Sequence, residues 1–254
     1  MIIKNDKELE ILRQGGKILA TVLNLVASKV APGVSAAALD ELAEKEIIKA
    51  GGRPSFKNYR SQIGDPPFPA SLCVSVNNEV VHGIPHKHKI LKNGDIVGLD
   101  LGVEFKGLYT DMAITVPVGK VSDKHLKLIT AASESLEAGL VEVKPGNFTG
   151  DVGFAIEASA KKYNFQVVRE LVGHGVGKEV HEEPEVPGFG KPKTGTKIVE
   201  GMVLAIEPMV NEGGWKINFA EDKWTIITED GGWSAHIEHT ILVTKDGFQI
   251  LTRI

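Results

Sequence analysis

A single cysteine, Cys73, stands in 254 residues. An internal disulfide is therefore excluded, as are zinc fingers and cysteine-ligated iron–sulfur clusters. Bilayer-spanning runs are also missing: the longest uncharged stretch near the start, Ile18–Ser28, is short and includes Thr21, Asn24 and Ser28. Met1–Glu10 carries Lys4, Asp6, Lys7, Glu8 and Glu10, which does not fit a secretory leader, so a cytoplasmic location is expected. A net charge of -4 offers no basic excess for nucleic acid, and 42% hydrophobic residues are too many for a disordered chain. No long apolar surface stretch demands a dimer, so a monomer is expected. What remains is an ordinary globular composition, long enough to bury a core unaided and sized for one domain or two.

Hydrophobic spacing predicts a helix over Asp6–Lys29, where Leu9, Leu12, Leu19, Val22, Leu23 and Val26 recur at three- and four-residue intervals. Pro32-Gly33 stops it, and Ser35 caps a second helix that ends at Gly51-Gly52. Residues Arg53–Pro69 read as loop. Two further helices are expected over Asp123–Glu142 and Thr149–Tyr163. Strands are expected at Leu72–Val76, Glu79–His82, Ile96–Leu101, Leu108–Val116, Gln166–Leu171, Met202–Glu207, Trp224–Ile227 and His236–Val243.

Internal repetition organises these elements. Asn93–Asp100 (NGDIVGLD) resembles Glu200–Glu207 (EGMVLAIE), Val30–Gly33 resembles Val143–Gly146, and Asp111–Val116 resembles Glu238–Val243. The three matches keep the same order, and their spacing widens along the chain by about one hairpin. Residues 1–120 and 121–254 thus each read helix, helix, strand ending in a carboxylate, strand carrying a carboxylate. One pseudo-symmetric domain over 1–254 is expected, rather than two independent ones.

The repeat places Asp100, Asp111, Glu207 and Glu238 at equivalent positions, each ending or interrupting an apolar strand. Carboxylates are rarely buried unless paired or bound to a cation. A two-residue turn at Phe105-Lys106 sets Asp100 opposite Asp111, and one at Lys106-Gly107 makes them diagonal neighbours. Either register puts both on one face. Two such acids repel unless a cation neutralises them. Oxygen donors with one histidine suit Mn, Fe(II), Co or Zn, and bridging carboxylates let two ions share the site. His174, between Gly173 and Gly175, is the best nitrogen donor, since its glycines permit close approach to a crowded site.

At this level of detail the chain resembles a known family. Asn77–Pro85 (NNEVVHGIP), Gly94–Gly102 (GDIVGLDLG), Thr110-Asp111, Gly173–Pro184 (GHGVGKEVHEEP), Gly201–Pro208 (GMVLAIEP) and Ile237–Thr240 (IEHT) are similar to type I methionine aminopeptidases, in the short bacterial form of peptidase family M24. The resemblance spans nearly the whole chain. It implies an α+β pita-bread fold, with helices in a pseudo-two-fold repeat around a curved antiparallel sheet. It also implies two divalent ions held by Asp100, Asp111, His174, Glu207 and Glu238, with Asp111 and Glu238 bridging. His82 and His181 would be non-ligand histidines that contact substrate, and Glu207 a proton shuttle. The substrate would be the N-terminal methionine of a nascent chain whose second residue is small.

Matching motif positions further makes Phe56, Phe68, Cys73, Val180 and Trp224 candidates for the methionine pocket. The stretch Lys57–Pro67 departs from the family in length, which leaves the place of Tyr59 open. His236 shares a face with Glu238 but lies outside the family's ligand set, and His239 faces the other way. His86 and His88 read as solvated, and His125 as a surface residue on its helix. The basic segment Lys191–Lys197 is a candidate for transient ribosome contact, with a flexible surface loop the favoured reading. Two rivals stand: a proline-specific metallo-exopeptidase, a class that usually brings an additional N-terminal domain, and a metal-free binding module on the same fold.

Overall fold

Side-chain caps fix where the helices begin. The computed structural model describes residues 1–60 and 66–254. Asn5 accepts a hydrogen bond from the Glu8 N–H to start α1 (Asp6–Ala27), and Ser35 accepts one from Ala38 to start α2 (Ala36–Lys49). Ser122 does the same for α3 (Asp123–Val141). At α4 (Thr149–Lys162) the Asp151 carboxylate reaches back to the Phe148 N–H at 2.8 Å. α1 ends earlier than Lys29 because its last turn tightens: Lys29 and Val30 donate to Val26 and Ala27, three residues back.

Fifteen strands are defined among the described residues. In the first half they are β1 (Arg53–Pro54), β2 (Leu72–Val76), β3 (Glu79–Val81), β4 (Ile96–Phe105) and β5 (Leu108–Pro117). In the second they are β6 (Gln166–Val167), β7 (Val172–Gly175), β8 (Glu182–Pro187), β9 (Val203–Ile206), β10 (Met209–Asn211), β11 (Ile217–Phe219), β12 (Ile226–Thr228), β13 (Ser234–His236), β14 (His239–Thr244) and β15 (Gly247–Ile250). All pairings are antiparallel. β4 has β5 on one side and β2 with β1 on the other; β9 has β14 on one side and β7 on the other. The order β5-β4-β2 is thus matched by β14-β9-β7. The hairpin β11–β12 occupies the stretch between β9 and β14 that has no counterpart between β4 and β5, which explains why the repeat spacing widens.

Several expected strands are shorter or split. The run Gln166–Leu171 is strand only at β6, and the chain then turns outward at Arg169, which lies 5.4 Å from the Phe189 ring and 5.2 Å from the Trp215 ring. His236–Val243 breaks between β13 and β14, because the Glu238 N–H turns away to donate to the Ala113 carbonyl of β5 at 2.8 Å. β12 starts at Ile226 because the Trp224 and Thr225 N–H groups are taken by the Asp222 carboxylate, at 2.9 and 2.7 Å. Arg53–Pro69 is not all loop, since β1 pairs Arg53 with Glu104. Strands β7, β8, β10, β11 and β15 were not expected.

Each half buries its own helices against its own sheet. Leu19, Leu23, Leu39 and Ile47 of α1 and α2 pack on Leu72, Val97, Leu99 and Leu101. Leu128, Leu136 and Ile156 of α3 and α4 pack with Val186, Leu204, Ile206 and Ile241. A third cluster, with Met1, Leu12, Leu108, Val203 and Leu251, joins the two. Polar contacts stitch the same seam. The Asp111 N–H donates to Thr240 Oγ1 at 2.8 Å, and that hydroxyl donates back to the Asp111 carbonyl at 2.7 Å. Thr115 and His236 form a second reciprocal pair, at 2.8 and 2.9 Å. Among the described residues, no helix is long and apolar enough to cross a membrane.

Candidate metal centre

The β4–β5 turn decides where the first two acids lie. Lys106 and Gly107 both take positive φ, and Phe105 pairs with Leu108. This is the two-residue turn that matches strand twist. Asp100 then faces Ala113, and Asp111 faces Gly102, so the two carboxylates are diagonal on one face. In the other half, pairing of His239 with Ile206 brings Glu207 and Glu238 to the shared end of β9 and β14. The seam between β5 and Glu238 sets the two pairs side by side.

His174 arrives from β7, which pairs with β9 through Ala205. Its glycine neighbours are sterically required. A Cβ on Gly173 would lie 2.5 Å from the Ala205 carbonyl oxygen, and one on Gly175 would lie 2.2 Å from that of Glu183. His174 Nδ1 is 2.9 Å from the Gly175 carbonyl, which makes it the protonated nitrogen and leaves Nε2 bare. Nε2 lies 3.3 Å from Glu207 Oε1. The ligand atoms of Asp111, His174 and Glu238 all lie within 4.8 Å of one another, and Asp100 and Glu207 line the same cavity.

The electrostatics of the cluster call for a cation. Burial pushes Asp100 up to about 6, with the Glu207 charge adding to the rise and His236 opposing it. Burial also drives Asp111, Glu207 and Glu238 well above the usual carboxylate range, and charge repulsion adds to this at Asp111 and Glu238. Asp100 Oδ1 and Glu238 Oε1 are buried with no hydrogen-bond partner. Orphaned buried carboxylate oxygens of this kind are costly unless a cation meets them. Burial and the nearby His181 hold His174 down to about 3, so its imidazole is neutral and ready to ligate. The donor set therefore fits hard to borderline divalent ions.

Around this cluster the cavity encloses about 200 Å³. That is below the ~300–1,000 Å³ of ordinary ligand pockets, which suits one side chain rather than a long peptide. Its walls are Phe56, Phe68, Cys73 and Trp224, with His82 and His181 beside the acids. Phe68 meets Trp224 edge-on at 5.4 Å, and Trp224 donates its indole N–H to the Pro66 carbonyl at 3.1 Å. Val180 belongs to the same apolar cluster. Burial, then the charge of Asp100, raises the Cys73 thiol well above its usual range, so it stays neutral and acts as an apolar wall. His82 follows β3 at φ 56, against Gly83, whose Cβ would lie 2.3 Å from the Val74 carbonyl oxygen. Burial pushes its pKa down to about 4, so it is uncharged at neutral pH. His181 precedes β8, exposed at the cavity mouth, its ring edge-on to His174 at 4.4 Å.

Sequence reasoning left parts of this site open or unseen. Tyr59 lines the cavity and bonds His181, and Ile84 joins the apolar wall. The unusual stretch Lys57–Pro67 is only partly covered, since residues 61–65 lie outside the described residues. His236 Nε2 lies 3.6 Å from Glu207 Oε2, where strand parity with Glu238 was the available signal. His239 Nδ1 meets Thr252 Oγ1 at 3.0 Å, away from the cavity, and His86 and His88 are exposed, as expected. His125 is a correction: it is half-buried, stacked on Trp233 at 3.5 Å, because the α3 start packs against β13.

Paired helices around antiparallel strands, with a buried carboxylate–histidine cluster at their junction, define the pita-bread class of metallopeptidase folds. The chain belongs to metallopeptidase family M24, whose description matches residues 10–245. It is 45% identical over 254 residues to methionine aminopeptidase 1 of Bacillus subtilis, with all of both chains covered. Methionine aminopeptidase from Thermotoga maritima superposes with a TM-score of 0.95 at 43% identity, covering 100% of both chains. That from Rickettsia prowazekii gives 0.94 at 39%, again covering both chains in full. A prolidase from Pyrococcus furiosus shares the fold alone, with a TM-score of 0.79 at 22% identity over 100% of this chain and 66% of that one.

Proposed function

We propose that the protein is a methionyl aminopeptidase, a metal-dependent hydrolase that removes N-terminal methionine when the second residue is small. The carrying observation is the small apolar cavity walled by Phe56, Phe68, Cys73 and Trp224, opening directly onto the buried carboxylate–histidine cluster. We further propose that Asp100, Asp111, His174, Glu207 and Glu238 would hold two divalent ions (Co, Mn, Fe(II) or Zn). When bound, such ions would supply Lewis acidity, polarising the scissile carbonyl and lowering the pKa of a water towards neutrality.

The chain's own groups do the rest. The apolar wall takes the methionine side chain and excludes solvent. Glu207 accepts the proton of the attacking water and returns it to the leaving amine, so one water is consumed and methionine and a shortened peptide are released. His181 donates a hydrogen bond to the oxygen that gains negative charge. His82, neutral and beside Trp224 at 6.2 Å between ring centres, positions the leaving amide nitrogen. The chain works as one unit over 1–254, with its site where residues 1–120 meet 121–254. A cytoplasmic monomer acting on nascent polypeptides fits this activity, with Lys191–Lys197 as a transient ribosome contact. The test is release of methionine from Met-Ala-Ser by purified protein, lost with chelator and regained with Mn or Co. No release under any metal would defeat the reading.

A further inference from the structure

We propose that Tyr59 is a positioning residue for His181, holding its imidazole in the tautomer that carries the proton on Nε2. The inference rests on the reading of His181 as a hydrogen-bond donor to the developing oxyanion. Such a donor needs its proton on the nitrogen that faces substrate, and a neutral imidazole has only one N–H to place. Tyr59 Oη lies 2.7 Å from His181 Nδ1, with the rings tilted 60° at 5.2 Å. Among the described residues no other hydrogen bond reaches the His181 ring, so the tyrosine hydroxyl alone settles which nitrogen is bare. Burial raises the Tyr59 phenol above its ordinary range, so the O–H is retained at neutral pH and donates to Nδ1. The opposite arrangement, with Nδ1–H donating to the phenol, would turn a lone pair on Nε2 towards the oxyanion.

Both partners are held for the task. The Tyr59 N–H donates to Phe56 at 2.9 Å, its carbonyl accepts from Phe68 at 2.8 Å, and Asn58 donates to the Phe68 carbonyl at 2.9 Å. The base of this loop is therefore pinned on both sides of the tyrosine. His181 is followed by Glu182, whose carboxylate accepts from the Lys178 and Glu179 N–H groups and pairs with the Met1 ammonium at 2.9 Å. These contacts fix the backbone of the turn but make no hydrogen bond to the ring, and Tyr59 supplies that bond. Tyr59 thus acts through His181, besides forming part of the cavity wall.

Two measurements test this. In zinc-loaded protein labelled with 15N-histidine, long-range 1H–15N spectra report the tautomer of each ring, with His181 assigned by the signals lost in His181→Gln. The wild type should show His181 protonated on Nε2, and Tyr59→Phe, which keeps the ring, should give a mixture of tautomers. With Met-Ala-Ser, Tyr59→Phe should lower kcat about 5- to 10-fold, the loss of one hydrogen bond of ~1 kcal/mol, with KM changed less than about twofold. Tyr59→Leu should in addition raise KM. A proton on Nδ1 in the wild type, an unchanged tautomer in Tyr59→Phe, or an unchanged kcat with only KM raised would each overturn the proposal. If the wild type released no methionine, the functional reading would fall, while the spectra would still decide which nitrogen Tyr59 leaves bare.

Discussion

Asp100 is 8% exposed, and its pKa is about 6 against an ordinary 3.8. The folded metal-free protein therefore holds more protons than the unfolded chain between those values. The stability Asp100 contributes is fully present below about 3.8 and is lost as pH rises through about 6. Asp100→Asn does not titrate, so the chelator-stripped variant should gain on the stripped wild type by on the order of 2–3 kcal/mol between pH 4 and pH 7. Guanidinium melts at the two pH values measure this, and a gap that ignores pH would contradict it. With metal present the same substitution should abolish turnover. His82→Ala should behave differently, lowering turnover at least tenfold while bound metal, counted by elemental analysis, stays at the wild-type ratio. Loss of metal would make His82 a ligand instead.

The elements explain how residues so far apart in sequence reach one cavity. Thr240 lies at the start of β14 yet both donates to and accepts from the Asp111 backbone of β5. Thr240→Val leaves a buried N–H and a buried carbonyl without that partner, so it should cost about 1–3 kcal/mol and weaken Mn binding in calorimetry. Unchanged affinity would mean that the seam does not place the acids. The four acids were legible because each ends or interrupts an apolar strand, and the repeat set them in matching places. Parity left two registers for Asp100 and Asp111, and only the positive φ of Lys106 and Gly107 selects between them. β8 was invisible because Glu182–Pro187 alternates acids with prolines and has no apolar period. The contact of Tyr59 with His181 joins two loops distant in sequence, and no local pattern announces it. His125 looked like a surface residue because its own helix says nothing about Trp233 stacked upon it.

At the scale of the whole molecule, each half has its own core, and the seam between them carries the buried acids. The stripped protein pays for that arrangement in repulsion, and bound ions relieve it. Metal should therefore raise thermal stability by mass action, about 2.7 kcal/mol at a hundredfold excess over Kd, and scanning calorimetry with and without Mn should show one transition moving upward. The proposed function makes this junction a metal-dependent site for N-terminal methionine. The decisive measurement is to strip the protein with chelator, restore Mn or Co, and follow amino-acid release from Met-Xaa-Ser peptides, with an Xaa-Pro peptide alongside. Methionine should be released when the second residue is glycine or alanine, only after metal is restored, with little release before isoleucine or phenylalanine. Preference for the Xaa-Pro bond, or no release with any metal, would contradict the account.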